Sequence, residues 1–300
     1  MLLQQLINGI TLGAVYALIA LGYTMVYGIL ELINFAHGEI YMLGAYIAII
    51  TLAFLTFTGL TETSLLLSLI IVGIVTIIYC GAYGLTLEKV AYRPLRHAPR
   101  LSPLISAIGM SIFLQNYVML SQGSADKIFP HIFPAGSITI GNSTLTYLQC
   151  FIIISSVILM IALQAFIKKS RLGKAMRATA QDKKMASLLG IDIDTVIIVT
   201  FITGSVLAAS AGIMVAMYYG LINFYMGYVA GIKAFTAAVL GGIGNIQGAV
   251  LGGFLLGILE SLGAAYISSE YKDAFAFIVL ILILIFKPTG LLGERIPEKV

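Results

Sequence analysis

The feature that most constrains this chain is a series of uninterrupted apolar runs, each close to the length needed to cross a bilayer. A hydrocarbon core of about 30 Å takes about 20 helical residues. Runs at 6–28, 38–57, 64–87, 103–121, 146–167, 195–219, 246–267 and 273–287 approach that length, and a ninth, 230–243, is too short for an easy crossing. Lipid offers no partners to free backbone N–H and C=O groups, so such runs must be helices. The alternation of apolar and polar residues that marks a membrane barrel is absent. Sixty per cent of the 300 residues are apolar and ten per cent are charged, where a soluble domain carries about 25% charged residues. The expected fold is therefore all-α: a polytopic transmembrane helix bundle over 1–300 as a single domain. It should have about eight spans, with 230–243 a candidate broken or re-entrant helix. The first run has no basic segment before it and no small-residue cleavage site, so it is expected to be a true span and not a signal peptide.

Charge placement orients the bundle. Of 17 Lys and Arg, seven fall in 168–184, four in 89–100, and three at or beyond Lys287. Positively charged loops stay on the cytoplasmic side. The polar loop 122–145, with Pro130, Pro134 and a single Lys, falls opposite, and the alternation of spans places the N-terminus outside.

Several chemistries are excluded. Cys80 and Cys150 lie inside or at the edge of apolar runs and need form no bridge, and His37, His97 and His131 have no metal-ligand spacing. Gly173-Lys174 is followed by Ala and lacks the upstream glycine of a phosphate-binding loop, and the Gly-rich stretch 241–248 has the wrong spacing for a dinucleotide fingerprint. No cluster of His, Asp or Ser at fixed spacing occurs within the spans. No catalytic, metal or cofactor site and no nucleic-acid partner is expected on this chain.

Four constellations remain. Residues 174–189 in the loop 168–195 favour a helix that Gly190 would stop. Ala178, Met185, Leu188 and Leu189 form an apolar face there, suited either to a groove in a soluble partner or to lipid headgroups. Asn34, His37 and Glu39, with Glu31 before them, sit between long apolar runs. They either face a protein interior or pathway, or lie wet in a headgroup-level loop. A weak echo links Tyr27-Gly28 and Asn34-Phe35-x-x-Gly38 to Tyr219-Gly220 and Asn223-Phe224-x-x-Gly227. Related halves with broken helices at their interface are common in transporters, and chance similarity in an apolar chain is the alternative. Gly244, Gly248 and Gly252, with Gly253 and Gly257, give a small-residue face for close packing. Near that face, Glu260 with Lys233 and Lys272 is expected to form a structural ion pair.

The stretches Tyr23-Thr24-Met25-Val26-Tyr27-Gly28, Ile33-Asn34-Phe35-Ala36-His37-Gly38-Glu39, Ala91-Tyr92-Arg93-Pro94, Ser106-Ala107-Ile108-Gly109, Ala186-Ser187-Leu188-Leu189-Gly190 and the run 233–244 occur in order. With them the chain, over about 8–293, resembles the permease family of bacterial branched-chain amino acid ABC importers, and within it the H-type subunit. The resemblance implies a multi-pass inner-membrane subunit that passes leucine, isoleucine and valine to the cytoplasm. It also implies a second homologous permease, two cytoplasmic ATP-binding subunits that hydrolyse ATP, a periplasmic amino-acid-binding protein and the lipid bilayer as partners. It makes 174–190 similar to the helix that couples importers to their ATPases, which singles out Ala178, Asp182, Met185, Leu188, Leu189 and Gly190. The common Glu-Ala-Ala opening of that element is replaced here by Thr179-Ala180-Gln181-Asp182. Asn34, His37, Glu39 and Asn223 become the candidate translocation pathway. The competing function is an ion-coupled secondary amino-acid transporter using Glu31, Glu39 and Glu260.

Overall fold

A computed structural model describes residues 1–96, 98–99, 101–130, 133 and 136–293. His97 and His131, Pro134, and the basic residues Arg100, Arg295 and Lys299 lie outside the described residues.

The chain is helical almost throughout. Helix α1 (Leu2–Leu30) is followed by α2 (His37–Phe57), the single turn α3 (Leu60–Thr63) and α4 (Leu65–Leu87). A π-helical turn at Glu88–Tyr92 and a 3-10 turn at Arg93–Leu95 extend α4 to its basic end. Next come α5 (Leu101–Gln122), the strands β1 (Lys127–Ile128), β2 (Ser137–Ile140) and β3 (Ser143–Thr146), and α6 (Tyr147–Lys169). Two short helices, α7 (Arg171–Gln181) and α8 (Lys183–Leu188), lead to α9 (Ile193–Tyr219), strand β4 (Leu221–Ile222), α10 (Met226–Gly241), α11 (Ile246–Tyr266) and α12 (Lys272–Phe286). β2 and β3 form a hairpin, and β1 pairs antiparallel with β4, tying the 123–146 loop to the end of α9.

Seven helical segments among the described residues are long and apolar enough to span a bilayer. The eighth expected span is α12, fifteen residues long, which at 1.5 Å per residue covers about 22 Å. It still runs from one end of the bundle toward the other. Phe275 packs on Gly263 near the end of α11, and beyond α12 the N–H of Leu291 donates to the carbonyl of Leu240 at 2.9 Å. The ninth segment is α10, sixteen residues long; like α2, it starts inside the bundle.

α1 is the axis. Residues from Thr11 to Val26 are buried without interruption, because α1 is enclosed by α9, α10 and α11. Small residues permit the closest approach: a Cβ at Gly13 would stand 2.7 Å from the Cα of Phe254, and one at Gly9 equally close to Ile258. In lipid, where apolar surface alone drives no association between helices, such backbone contact is what holds them. The expected small-residue face on α11 is thus real at Gly248, Gly252, Gly253 and Gly257, all packed against neighbouring backbone. Gly244 is not part of it, since it lies before α11 in a left-handed conformation with φ of 94°. Around the outside, α4, α5 and α6 turn rows of isoleucine outward at helical spacing, Ile70, Ile74 and Ile78 on α4 and Ile154, Ile158 and Ile161 on α6. Those rows form the lipid-facing surface.

The ends are grouped as the charges require. Gln4 bonds Thr144 and Asn8 accepts from Gln149, so the start of α1 and the 123–146 loop share one end. At the other, Lys183 reaches the Leu30 carbonyl at 3.5 Å. There too Arg96 bridges Glu88 and Asp194, and Arg93 meets Asp194 at 2.6 Å.

Candidate functional site

The interior site is built by two turns that mirror each other. α1 ends at Glu31, in the left-handed region with φ of 58°, whose N–H donates to the Tyr27 carbonyl. Three residues later the Asn34 carbonyl accepts from the N–H of His37 at 3.0 Å, opening α2. α9 ends at Gly220, φ 67°, whose N–H donates to Ala216, and three residues later the Asn223 carbonyl accepts from Met226 at 3.3 Å, opening α10. The Asn-Phe-x-x-Gly echo is therefore structural. The Tyr-Gly pairs are not: Tyr27-Gly28 is inside α1, and Glu31, not Gly28, matches Gly220. Because α1 and α9 run in opposite directions, the two units are inverted, as in transporters with inverted repeats. Their glycines meet, with Gly38 and Gly227 in backbone contact and Gly231 beside them.

Asn34, His37 and Glu39 are 2%, 1% and 1% exposed, so the wet-loop alternative fails for these three, while Glu31 before them is exposed. The Asn34 Oδ1 accepts from the Tyr92 hydroxyl at 2.9 Å. The His37 ring fills the space that Gly22 leaves, edge-on to Tyr23 with ring centres 4.9 Å apart, and its Nε2 has no hydrogen-bond partner among the described residues. Glu39 accepts from the Ser111 hydroxyl through Oε1 at 2.9 Å, while Oε2 has no hydrogen-bond partner among the described residues and rests on Gly227. Asn223 is not part of this cluster. It is half-buried, accepts the Tyr225 N–H at 3.1 Å to set its own turn, and lines a separate cavity beyond the Gly38–Gly227 crossing.

The expected pair at Glu260 forms and is larger than the sequence indicated. Glu260, with a fully buried side chain, accepts from Tyr16 at 2.8 Å and Lys233 at 2.8 Å, and lies 3.4 Å from Lys272. Lys233 also meets Asp273 at 2.6 Å. Tyr16 was invisible as a partner, since nothing local in the sequence links it to Glu260, and Asp273 enters through Lys233.

At the basic end, the expected single helix over 174–189 is two. Asp182 is extended, with φ −156° and ψ 108°, and breaks the run. Its carboxylate accepts the Met185 N–H at 3.0 Å and so caps α8, as a short acidic side chain does well. Gly190 closes α8 as expected, with φ of 83°. The N–H groups of Gly190 and Ile191 donate to Ser187 and Ala186, which satisfies the last carbonyls. Ala186 anchors the short helix, while Met185, Leu188 and Leu189 are 59%, 82% and 79% exposed. Ala178, on α7, is half-buried.

A membrane-spanning bundle with two inverted turns, a buried polar cluster at one of them and a capped helix that exposes Met185 and Leu188 at its basic end has the form of a membrane transport subunit. The model of the branched-chain amino acid transport system / permease component family matches residues 5–284. The high-affinity branched-chain amino acid transport system permease protein LivH of Escherichia coli K12 is 53% identical over 303 residues, covering 99% of this chain and 97% of that one. LivH of Salmonella typhimurium is also 53% identical, with the same coverage. BraD of Pseudomonas aeruginosa is 53% identical over 99% of this chain and 98% of its own. No solved structure matches the chain. The chain belongs to the permease-component family of branched-chain amino acid transport systems, and it is a multi-pass protein of the inner membrane.

Proposed function

We propose that this chain is the H-type permease of an ATP-binding-cassette importer that carries leucine, isoleucine and valine into the cytoplasm. The observation that carries the reading is membership of the permease-component family along almost the whole chain. It assembles with a second homologous permease, two ATP-binding subunits and a periplasmic amino-acid-binding protein, and hydrolysis takes place on the ATP-binding subunits. The ion-coupled carrier gains no support from the relatives, and its candidate group Glu260 is already engaged by Tyr16 and Lys233.

The basic end faces the cytoplasm. There α8 presents Met185, Leu188 and Leu189 to a groove in the ATP-binding subunit. Asp182 and Gly190 cap the helix at its two ends, Asp182 through its carboxylate and Gly190 through its left-handed backbone, and Ala178 joins it from α7. Closure of the ATPases then biases the bundle between two states, which is all a ligand or motor can do to a bistable fold. Asn34, His37 and Glu39 on one side of the Gly38–Gly227 crossing, and Asn223 on the other, mark the route, closed at that crossing in this conformation.

Co-purification from detergent extract, followed by leucine uptake in proteoliposomes, tests the reading. ATP-binding and permease chains should co-purify, and uptake should require ATP and the binding protein. Uptake by this chain alone, driven by an ion gradient, contradicts it.

A further inference from the structure

The end of the bundle opposite α8 holds a cavity of about 280 Å³ between α1, α9, α10 and the start of α12. Its depth is graded in charge and exposure. Glu260 lies beneath it, fully buried, Lys233 is 8% exposed, Lys272 32%, and Asp273, at the rim, 58%. Two cations and two anions thus balance at one wall. The opposite lining is apolar, formed by Leu12, Val215, Met226 and Val229. Tyrosines close the sides: Lys233 stands 5.9 Å from the Tyr16 ring centre and Lys272 5.1 Å from that of Tyr219.

The hydrogen-bond ledger is uneven. Glu260 is engaged through both oxygens, by Tyr16, Lys233 and Lys272. Among the described residues Asp273 is engaged by Lys233 alone, and that contact is the exposed one. When Asp273 swings outward, Lys233 keeps Glu260 and turns a free N–H toward the cavity. A carboxylate then has Lys233 and Lys272 to meet, and an ammonium has Asp273. A lone anion or cation would leave one charge uncompensated in a poorly solvated place, which is strongly unfavourable. A zwitterion leaves the wall neutral. The volume is just below the roughly 300 Å³ at which small-molecule sites begin, which suits one small ligand with an apolar tail.

We infer that this cavity is a binding site for a zwitterionic amino acid with an apolar side chain. Its carboxylate meets Lys233 and Lys272, its ammonium Asp273, and its side chain the Leu12–Val215–Met226 wall. The site rests on the import reading for its place in transport, and on its own charge balance for its chemistry. It is the point at which an amino acid released outside enters this subunit.

The full-length chain in lipid nanodiscs tests this with radiolabelled L-leucine, alone and against two single-headed analogues. Saturable leucine binding is expected, and isocaproate, which lacks the ammonium, and isoamylamine, which lacks the carboxylate, should each compete at least about tenfold less well. Lys272→Gln and Asp273→Asn sit at the rim and leave Glu260 paired to Lys233 and Tyr16. Each should weaken leucine by about tenfold while the melting temperature is unchanged. Absence of saturable binding, equal competition by isocaproate, or unaltered affinity in both variants overturns the site. Receptor-dependent uptake by the reconstituted assembly separates the two readings. Uptake that persists without any leucine binding to the chain sinks the site and spares the importer. Charge-selective binding with no ATP-dependent uptake sinks the importer and spares the site.

Discussion

Glu260 and Glu39 both lie in the apolar interior, and their surroundings differ sharply. Glu260 has two lysines and a tyrosine hydroxyl around its two oxygens. Glu39 has one serine hydroxyl, and its second oxygen has no hydrogen-bond partner among the described residues and sits against a glycine of the opposite turn. The first is a bolt: a satisfied network in which Tyr16 and Lys233 fix α1 and α10 to α11. The second is a loose joint, placed where two inverted helix starts touch through Gly38 and Gly227. A polar group left half-satisfied is costly, and it persists here at the crossing where we propose the route is closed.

The comparison breaks most readily at the bolt. Glu260→Leu removes the buried acceptor shared by Tyr16, Lys233 and Lys272 and leaves the buried Lys233 with the exposed Asp273, so it should destabilise the chain by about 3–5 kcal/mol. Thermal unfolding of the purified protein in detergent measures it. The double change Lys233→Met with Glu260→Leu should recover most of the loss, and if it does not, the network matters for more than charge pairing. Next in size is the crossing. Gly38→Ala puts a Cβ 2.7 Å from the Gly231 Cα, backbone that has nowhere to move, so about 1–3 kcal/mol of strain is expected. A normal melting temperature in Gly38→Ala would show that the turns stand further apart. At the joint itself, Glu39→Gln keeps an acceptor for Ser111 and removes the acid. It should cost under about 1 kcal/mol, while changing uptake per assembled complex. A Glu39→Gln loss as large as that of Glu260→Leu would erase the distinction drawn here.

Much of this was legible in the sequence, for physical reasons that also explain the rest. Apolar run length marks a helix in lipid because nothing else satisfies the backbone, so the spans appear within a few residues of their places. Among the described residues, Arg93, Arg96 and Lys183 meet at one end, as the clustering at 89–100 and 168–184 required. Depth was not legible: Glu31, Asn34, His37 and Glu39 have the same polarity whether wet or buried, and only the packing, with His37 set into the gap at Gly22, places the last three inside and leaves Glu31 exposed. The inverted echo was faint because its equivalence runs through backbone conformation, Glu31 matching Gly220, and not through residue identity. The break in the basic-end helix did carry a signal. Asp182 three residues before Met185 is a ready N-cap, masked by the helix-favouring residues on both sides. Tyr16 gave none, since a partner 244 positions away cannot be inferred from its sequence neighbourhood.

The smallest expected change in stability carries the largest expected change in activity. Leu188 is 82% exposed, so Leu188→Asp should move the stability of the isolated chain by less than about 0.5 kcal/mol. In the assembly it sets a charge into an apolar contact, which would cost docking a few kcal/mol, on the order of a buried unpaired charge. The direct measurement is ATP-driven leucine uptake per assembled complex in proteoliposomes, wild type beside Leu188→Asp, with the melting temperature of each. Unchanged melting with uptake and ATPase co-purification lost together is the predicted result. Normal uptake and normal ATPase association in Leu188→Asp would contradict the claim that α8 is where ATPase motion enters this subunit.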